Sequence, residues 1–359
     1  MRKKYVLVGC DAVSVLLLSA LGKENVAYFC DNEYQGKTIE GIEIISLQDL
    51  ETVYPAYEIL ITNERFADSL TKMHIAFKRV FGSSEFFNLW QSLYRLSLRG
   101  MNFGGGDNVF TSGEIAALNI LRDNIGVREE PVLFDVGANV GDYTVLLMSV
   151  FPNAQIHSFE PAKETFLNLQ GNTAGLITQY AGKVQLNNFG LSDSPAKATL
   201  HYDRENSGLA SLYDRQLDYF GIDYSKSETV RLSTLDNYCA ENDIEYIDFL
   251  KMDVEGHELN VLKGAEKMLA ESRIDNIQME FGGCNLDSRT YLRDFWNLLH
   301  ENFRMFYMLN DSLMEILNYQ ENLEVFTTTN FFFHRRCLYP KENIIKKCPC
   351  QFDRGFHIL

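Results

Sequence analysis

The sequence predicts an α/β fold with two successive, mostly parallel sheets, and three observations carry that prediction. Short apolar runs of strand length alternate with longer apolar-periodic stretches of helix length. The chain of 359 residues is long enough for roughly two hydrophobic cores. The alternation is interrupted once, at Asn102-Phe-Gly-Gly-Gly-Asp107, where three successive glycines mark a linker. The expected division is a small domain over residues 1–90, a helical, glycine-rich linker over 91–110, a larger domain over 111–336 and a tail over 337–359.

In the first part, Tyr5–Gly9 reads as a buried strand, Val13–Leu21 as a helix, and Val26–Asp31 and Glu58–Thr62 as further strands. Gly36–Ile45 reads as a turn leading into a small strand, which completes a Rossmann-like layout. Phe86–Leu98 has helical spacing. Thr111-Ser-Gly-Glu114 has the spacing of a capping box and opens a helix to about Ile125. Strands follow at Val132–Val136, Gln155–Phe159, Val184–Phe189, Asp248–Met252, Asn276–Glu280, Met305–Leu309 and Thr328–His334. Helices fall near Asp142–Phe151, Lys163–Asn172, Glu258–Ala270 and Ser288–Asn302. Residues 197–238 break the rhythm, with strand-like pieces at Ala198–Tyr202 and Thr229–Leu235 around a polar stretch. They read as an insertion over one end of the sheet, where a substrate pocket would form.

Composition narrows the function. With 33 Lys plus Arg against 49 Asp plus Glu, the net charge of −16 disfavours a nucleic-acid or anionic-membrane partner. Hydrophobic residues at 46% exclude a disordered chain. The apolar run after Arg2-Lys-Lys4 is cut by Asp11 and reads as strand, turn and helix instead of a secretory leader. No apolar run reaches 18 residues, so no membrane span is expected. Seven scattered Cys suit reduced thiols and a cytoplasmic location.

The most informative stretch is Pro131-Val-Leu-Phe-Asp-Val-Gly-Ala-Asn-Val-Gly-Asp-Tyr-Thr144. A strand runs straight into Gly137-Ala-Asn-Val-Gly141 and then a helix, so backbone N–H groups can face a ligand. The Gly-x-x-x-Gly spacing is not that of a dinucleotide site, and Asp135 and Asp142 flank the loop. Acids there suit a cationic or hydroxyl-bearing ligand. Glu160, at the end of the next strand, can accept hydrogen bonds from a ribose diol. A positively charged nucleoside read by acids points to S-adenosylmethionine.

Four motifs in order, Phe134-Asp-Val-Gly-Ala-Asn-Val-Gly-Asp-Tyr-Thr144, Phe159-Glu-Pro161, Gly190-Leu-Ser-Asp193 and Leu250-Lys-Met-Asp-Val-Glu-Gly-His-Glu258, resemble the FkbM family of S-adenosylmethionine-dependent methyltransferases over about residues 111–335. The resemblance implies a class I methyltransferase sheet of seven strands, one of them antiparallel, and O-methylation of a sugar or polyketide hydroxyl. It implies cofactor contacts at Asp135, Gly137, Asn139, Gly141, Tyr143, Thr144, Glu160, Ser192, Asp193 and Asp253.

Asp253 and Glu255 project to one side if their strand continues that far, and Glu280 ends the neighbouring strand. With His257 they form a cluster open to three readings. One member is a general base for the acceptor hydroxyl. Alternatively Asp253, Glu255 and Glu280 hold a divalent cation. In the third reading Glu255 and Glu258 are ordinary charges at a helix N-terminus and His257 is a surface residue.

The first domain carries Asp11 and Ser14 where a dinucleotide fingerprint has glycines, with Asp31 where a ribose acid would stand. It weakly resembles the N-terminal domains of sugar-nucleotide acyltransferases. It reads as a scaffold for homo-oligomer formation or acceptor docking more readily than as a nucleotide site. His334, Cys337, Cys348, Cys350 and His357 match no standard zinc spacing. The leading expectation is therefore a methyltransferase acting on a small-molecule or glycan hydroxyl. An NAD-dependent sugar-nucleotide oxidoreductase and a non-catalytic S-adenosylmethionine-binding scaffold are its rivals.

Overall fold

The computed structural model describes residues 4–105, 109, 111–125 and 127–336. Cys337, Cys348, Cys350 and His357 lie outside the described residues. Two compact units divide between Ser97 and Leu98. Among the described residues, no helix is long and apolar enough to cross a membrane.

In the first unit, strands β1 (Tyr5–Val8), β2 (Val26–Cys30), β3 (Thr38–Ile39), β4 (Ile42–Ile45), β5 (Glu58–Ile61) and β6 (Lys78–Arg79) form one sheet in the order β3-β4-β2-β1-β5-β6. All pairs are parallel except β3 with β4. Both faces are covered, as a run such as Tyr5-Val-Leu-Val8 requires. Val6 and Val8 enter a core with Leu50 and Leu70, while Leu7 enters an opposite core with Leu17 and Phe86. Leu17 belongs to α1 (Ala12–Leu21), Leu50 to α2 (Leu47–Val53) and Leu70 to α3 (Ala67–Lys72). Helix α4 (Phe87–Gly100) follows.

The turn after β1 is closed in this unit. Asp11 caps α1 with its own carboxylate, accepting the Ser14 N–H at 3.1 Å. A Cβ at Gly9 would lie 2.5 Å from Thr62 Oγ1. Asp31 is buried and bound by Arg65 at 2.7 Å, so a guanidinium occupies the carboxylate that a ribose would need.

The second unit holds β7 (Val132–Val136), β8 (Gln155–Phe159), β9 (Lys183–Asn187), β10 (Gly190–Leu191), β11 (Ala196–Tyr202), β12 (Lys226–Ser233), β13 (Phe249–Met252), β14 (Asn276–Phe281), β15 (Phe303–Met308), β16 (Leu313–Ile316) and β17 (Thr329–Arg335). Its main sheet runs β16-β15-β17-β14-β13-β7-β8-β9. Leaving out β16, this is the class I methyltransferase order. The expected count of seven strands is corrected to eight, and the single antiparallel strand to two. β17 runs antiparallel to β14 and β15, and β16 folds back on β15. The missed strand is a four-residue hairpin partner. Its own sequence carries little signal, and its pairing with β15 is reinforced by Glu315 accepting from Arg304 Nε at 2.6 Å.

The insertion is an antiparallel hairpin of β11 and β12 with β10 alongside β12. The helices are α5 (Glu114–Ile120), α6 (Asp142–Val150), α7 (Lys163–Ile177), α8 (Leu235–Glu241), α9 (Glu258–Lys263), α10 (Glu266–Ala270), α11 (Cys284–Ser288) and α12 (Leu292–Leu299). Two expectations change here. The predicted capping box does not form: Gly113 is the N-cap at φ 86°, and Glu114 turns inward to accept from Ser112 Oγ and Gln278 Nε2. The helix predicted over 258–270 breaks at Gly264, where a Cβ would stand 1.9 Å from Ser192 O.

Candidate functional site

The strand order reverses between β7 and β13, and a cleft opens beyond their C-terminal ends, as it does in open parallel sheets. It holds about 740 Å³ counted out to where it meets solvent. Gly137 makes the close approach possible. Its φ is 84°, and a Cβ there would sit 1.8 Å from the carbonyl oxygen of Asp253. The N–H groups of Gly137 and Ala138 donate to Phe159 O at 3.0 and 2.9 Å, which ties the turn to β8.

Glu160 lies at the floor of the cleft and is 7% exposed. It accepts the N–H of Asn139 at 3.0 Å on one oxygen and that of Ala162 at 2.8 Å on the other. Burial pushes its pKa up to about 7 despite those two bonds. Asn139 has φ 46°, and its buried Oδ1 has no hydrogen-bond partner. Gly137, Asn139, Glu160, Asp253, Glu255 and His257 all line this cleft.

Asp135, Tyr143 and Thr144 lie behind the turn in a buried polar network. Thr144 Oγ1 donates to Asp135 at 2.7 Å, and Tyr143 donates to Gln278 Oε1 at 2.8 Å. Gly141 packs on α7, with a Cβ there 2.7 Å from Leu169 Cδ1. Lys251, 4% exposed, stands 3.5 Å from Asp135 and 3.4 Å from Asp253. Burial works against its charge, but Asp253, Asp135 and Glu114 outweigh burial and raise its pKa. Sequence reading passed over this lysine. A lysine inside an all-apolar central strand was the available signal, since a buried ammonium needs partners.

Strand β13 stops at Met252, so Asp253 and Glu255 do not share a continuing strand. A turn carries them instead, with Glu255 at φ 50° and Gly256 at φ 100°. Glu258 braces this turn from inside, accepting from Val254 N at 2.9 Å and Gly256 N at 3.3 Å. His257 is 8% exposed. Asn260 Nδ2 lies 3.2 Å from its Nδ1 and can only donate, so Nδ1 accepts and Nε2–H donates to Ser192 Oγ at 2.9 Å. Tyr213 OH also reaches Nδ1 at 3.2 Å, and burial lowers the histidine pKa to about 4. Ser192 thus lies beneath His257, while Asp193 is exposed.

Carboxylate oxygens of Glu255 and Glu280 and the Cys284 sulfur converge within 4.8 Å. The positive partner there is already a guanidinium: Arg215 Nη1 donates to Glu255 at 2.5 Å, and its Nε is 3.4 Å from Asp287. Burial first, then Asp253 and Glu255, push the Glu280 pKa well above the carboxylate range. Asp253, expected in a metal set with these acids, pairs with Lys251. His334 is taken up by the sheet, its ring 2.8 Å from Asn276 Oδ1.

The sequence of this unit matches the family model described as the methyltransferase FkbM domain over residues 135–306. Residues 135–306 are similar to FkbM methyltransferase domains. The chain is 31% identical to the 31-O-demethyl-FK506 methyltransferase FkbM of Streptomyces tacrolimicus, over 41% of this chain and 64% of that protein. It is 26% identical to the 2-O-methyltransferase NoeI of Sinorhizobium fredii, over 44% of this chain and 68% of that protein. It is 27% identical to the hexuronic acid methyltransferase AglP of Haloferax volcanii, over 47% and 64%. The chain spans about two thirds of the length of these relatives and 8% of a longer one. All four motifs read from the sequence fall within or at the edge of the matched region.

Proposed function

We propose that the protein transfers a methyl group from S-adenosylmethionine to a hydroxyl oxygen of a sugar or glycan precursor. The observation that carries this reading is the cleft beyond β7 and β13, with the Gly137–Asn139 turn on one wall and the buried Glu160 carboxyl on its floor. The donor set fits the group. Glu160 retains acceptor capacity beyond its two backbone bonds, and Asn139 Oδ1 is a buried acceptor still without a donor. Glu160 would hold the ribose diol, with Gly137 and Asn139 along the turn. S-adenosylmethionine, when bound, supplies a methyl group activated by its sulfonium.

The residues of the chain then have to bind the acceptor and take its proton. Asp253 and Glu255 line the same cleft and offer carboxylate oxygens to a hydroxyl. Arg215 fixes Glu255 in place. Burial and the neighbouring Asp253 and Glu255 favour the protonated form of Glu280, which can donate a hydrogen bond. His257 is a neutral support whose two nitrogens are engaged by Ser192, Tyr213 and Asn260. AglP, named for a hexuronic acid, supports a sugar as the acceptor class without fixing its charge, and NoeI supports oxygen as the target. Weighing against an NAD-dependent reading are Arg65 on Asp31 and the Asp11 carboxylate on α1.

The test is thermal unfolding of the full chain with S-adenosylhomocysteine or NAD. S-adenosylhomocysteine is expected to raise the Tm, NAD to leave it unchanged, and Glu160→Ala to remove the shift. A shift with NAD and none with S-adenosylhomocysteine sinks the reading.

A further inference from the structure

The segment joining β11 to β12 crosses the cleft and is fastened on both sides. Near the cofactor turn, Asn139 Nδ2 donates to Ser207 O at 3.4 Å. Near the acids, Ser211 Oγ donates to Glu255 O at 2.7 Å, and Arg215 holds Glu255 and Asp287. Further on, Tyr224 OH donates to Leu209 O at 2.6 Å. Between the Arg215 and Tyr224 anchors the chain makes a short turn, Asp218–Phe220. Leu217 is buried beneath it, whereas Tyr219 and Phe220 are 70% and 69% exposed, with ring centroids 4.5 Å apart.

Two neighbouring aromatic side chains left in water forgo the gain of burial. Such a patch with a polar rim marks a binding surface. Within 213–224 the exposed charges have one sign, and the nearest exposed cation along the chain, Lys226, is paired with Glu205 at 3.8 Å. Of the charged residues in 213–224, Asp214, Asp218 and Asp223 are exposed, while the single cation, Arg215, has a side chain only 8% exposed and points to Glu255. Carboxylates beside flat apolar rings suit a ring-shaped ligand with many hydroxyl groups and repel an anionic one.

We propose that Tyr219 and Phe220 form a platform that receives the ring of an uncharged sugar acceptor, with Asp218 and Asp223 selecting against uronic acids and phosphorylated sugars. This rests on the reading of the cleft as a methyl-transfer site. The platform adds that acceptor recognition extends outside the cleft, onto a segment whose anchors are the acidic cluster itself.

The experiment applies the full chain, saturated with S-adenosylhomocysteine, to an array of immobilised neutral, uronic-acid-bearing and phosphate-bearing glycans. Neutral glycans are expected to be retained. The double variant Tyr219→Ser/Phe220→Ser should bind them about tenfold more weakly, a loss of about 1.4 kcal/mol. Its Tm shift with S-adenosylhomocysteine should match that of the unaltered chain, because neither side chain is part of the core. Preference for anionic glycans, retention of no glycan, or undiminished binding by the double variant overturns the proposal. Absence of the S-adenosylhomocysteine shift in the unaltered chain is a separate result, and it removes the methyl-transfer reading together with this one.

Discussion

Glu160 answers to two opposing demands. It is buried at the cleft floor, and in the proposed reading its ionised form accepts both hydroxyls of a ribose. Burial raises its pKa from 4.5 to about 7, so the free protein holds a proton there in mildly acidic solution. A raised folded-state value stabilises the fold fully below about pH 4.5, and that contribution is lost as pH rises through about 7. Ligand binding has the opposite sense if the diol needs the carboxylate. S-adenosylhomocysteine affinity should therefore rise about tenfold between pH 6 and pH 8, following the ionised fraction. Titration calorimetry at the two pH values checks this, with Glu160→Gln expected to bind weakly and without the pH dependence. At this scale the sequence was legible where a residue acts through its own backbone position. Gly137, Asn139 and Glu160, expected as cofactor contacts from a turn and a strand end, line the cleft. Arg215 was invisible, because nothing local in Tyr213-Asp-Arg-Gln216 says that the guanidinium turns inward to meet Glu255, 40 residues on.

Among elements, the segment between β11 and β12 has one buried ion-pair anchor beside its hydrogen bonds. Arg215 spans from it to Glu255 on one side and Asp287 on the other, and the pair with Glu255 is almost fully enclosed. Removing one partner of a buried ion pair leaves the other charge without compensation and costs about 3–5 kcal/mol. Arg215→Met should lower stability by roughly that amount, less whatever Glu255 recovers by taking a proton. It should also free residues 213–224 to be cut by protease before the main sheet unfolds. Limited proteolysis with mass mapping and urea unfolding measure the two effects, and Arg215→Lys should recover part of both. Most strands were legible because apolar runs bounded by turns dictate them. Element ends were less so. The α9–α10 break at Gly264 arises from contact with Ser192, 72 positions earlier, and β16 exists only as the partner of β15.

At the scale of the whole molecule, each unit has its own sheet with apolar side chains buried on both faces, and each contains the core that independent folding requires. The proposed ligand touches residues of the second unit alone. Linkage then constrains what calorimetry can show. A ligand that binds only the native form stabilises the unit it binds by RT ln(1 + [L]/Kd), which is about 2.7 kcal/mol at a hundredfold excess over Kd. The first unit has no share in that gain. Differential scanning calorimetry of the full chain should resolve two transitions, and S-adenosylhomocysteine should raise only one of them. Glu160→Ala should abolish that movement without displacing the other transition. If a single transition is seen and it rises with ligand, the units unfold as one cooperative body. If neither rises, the cleft does not hold the proposed ligand.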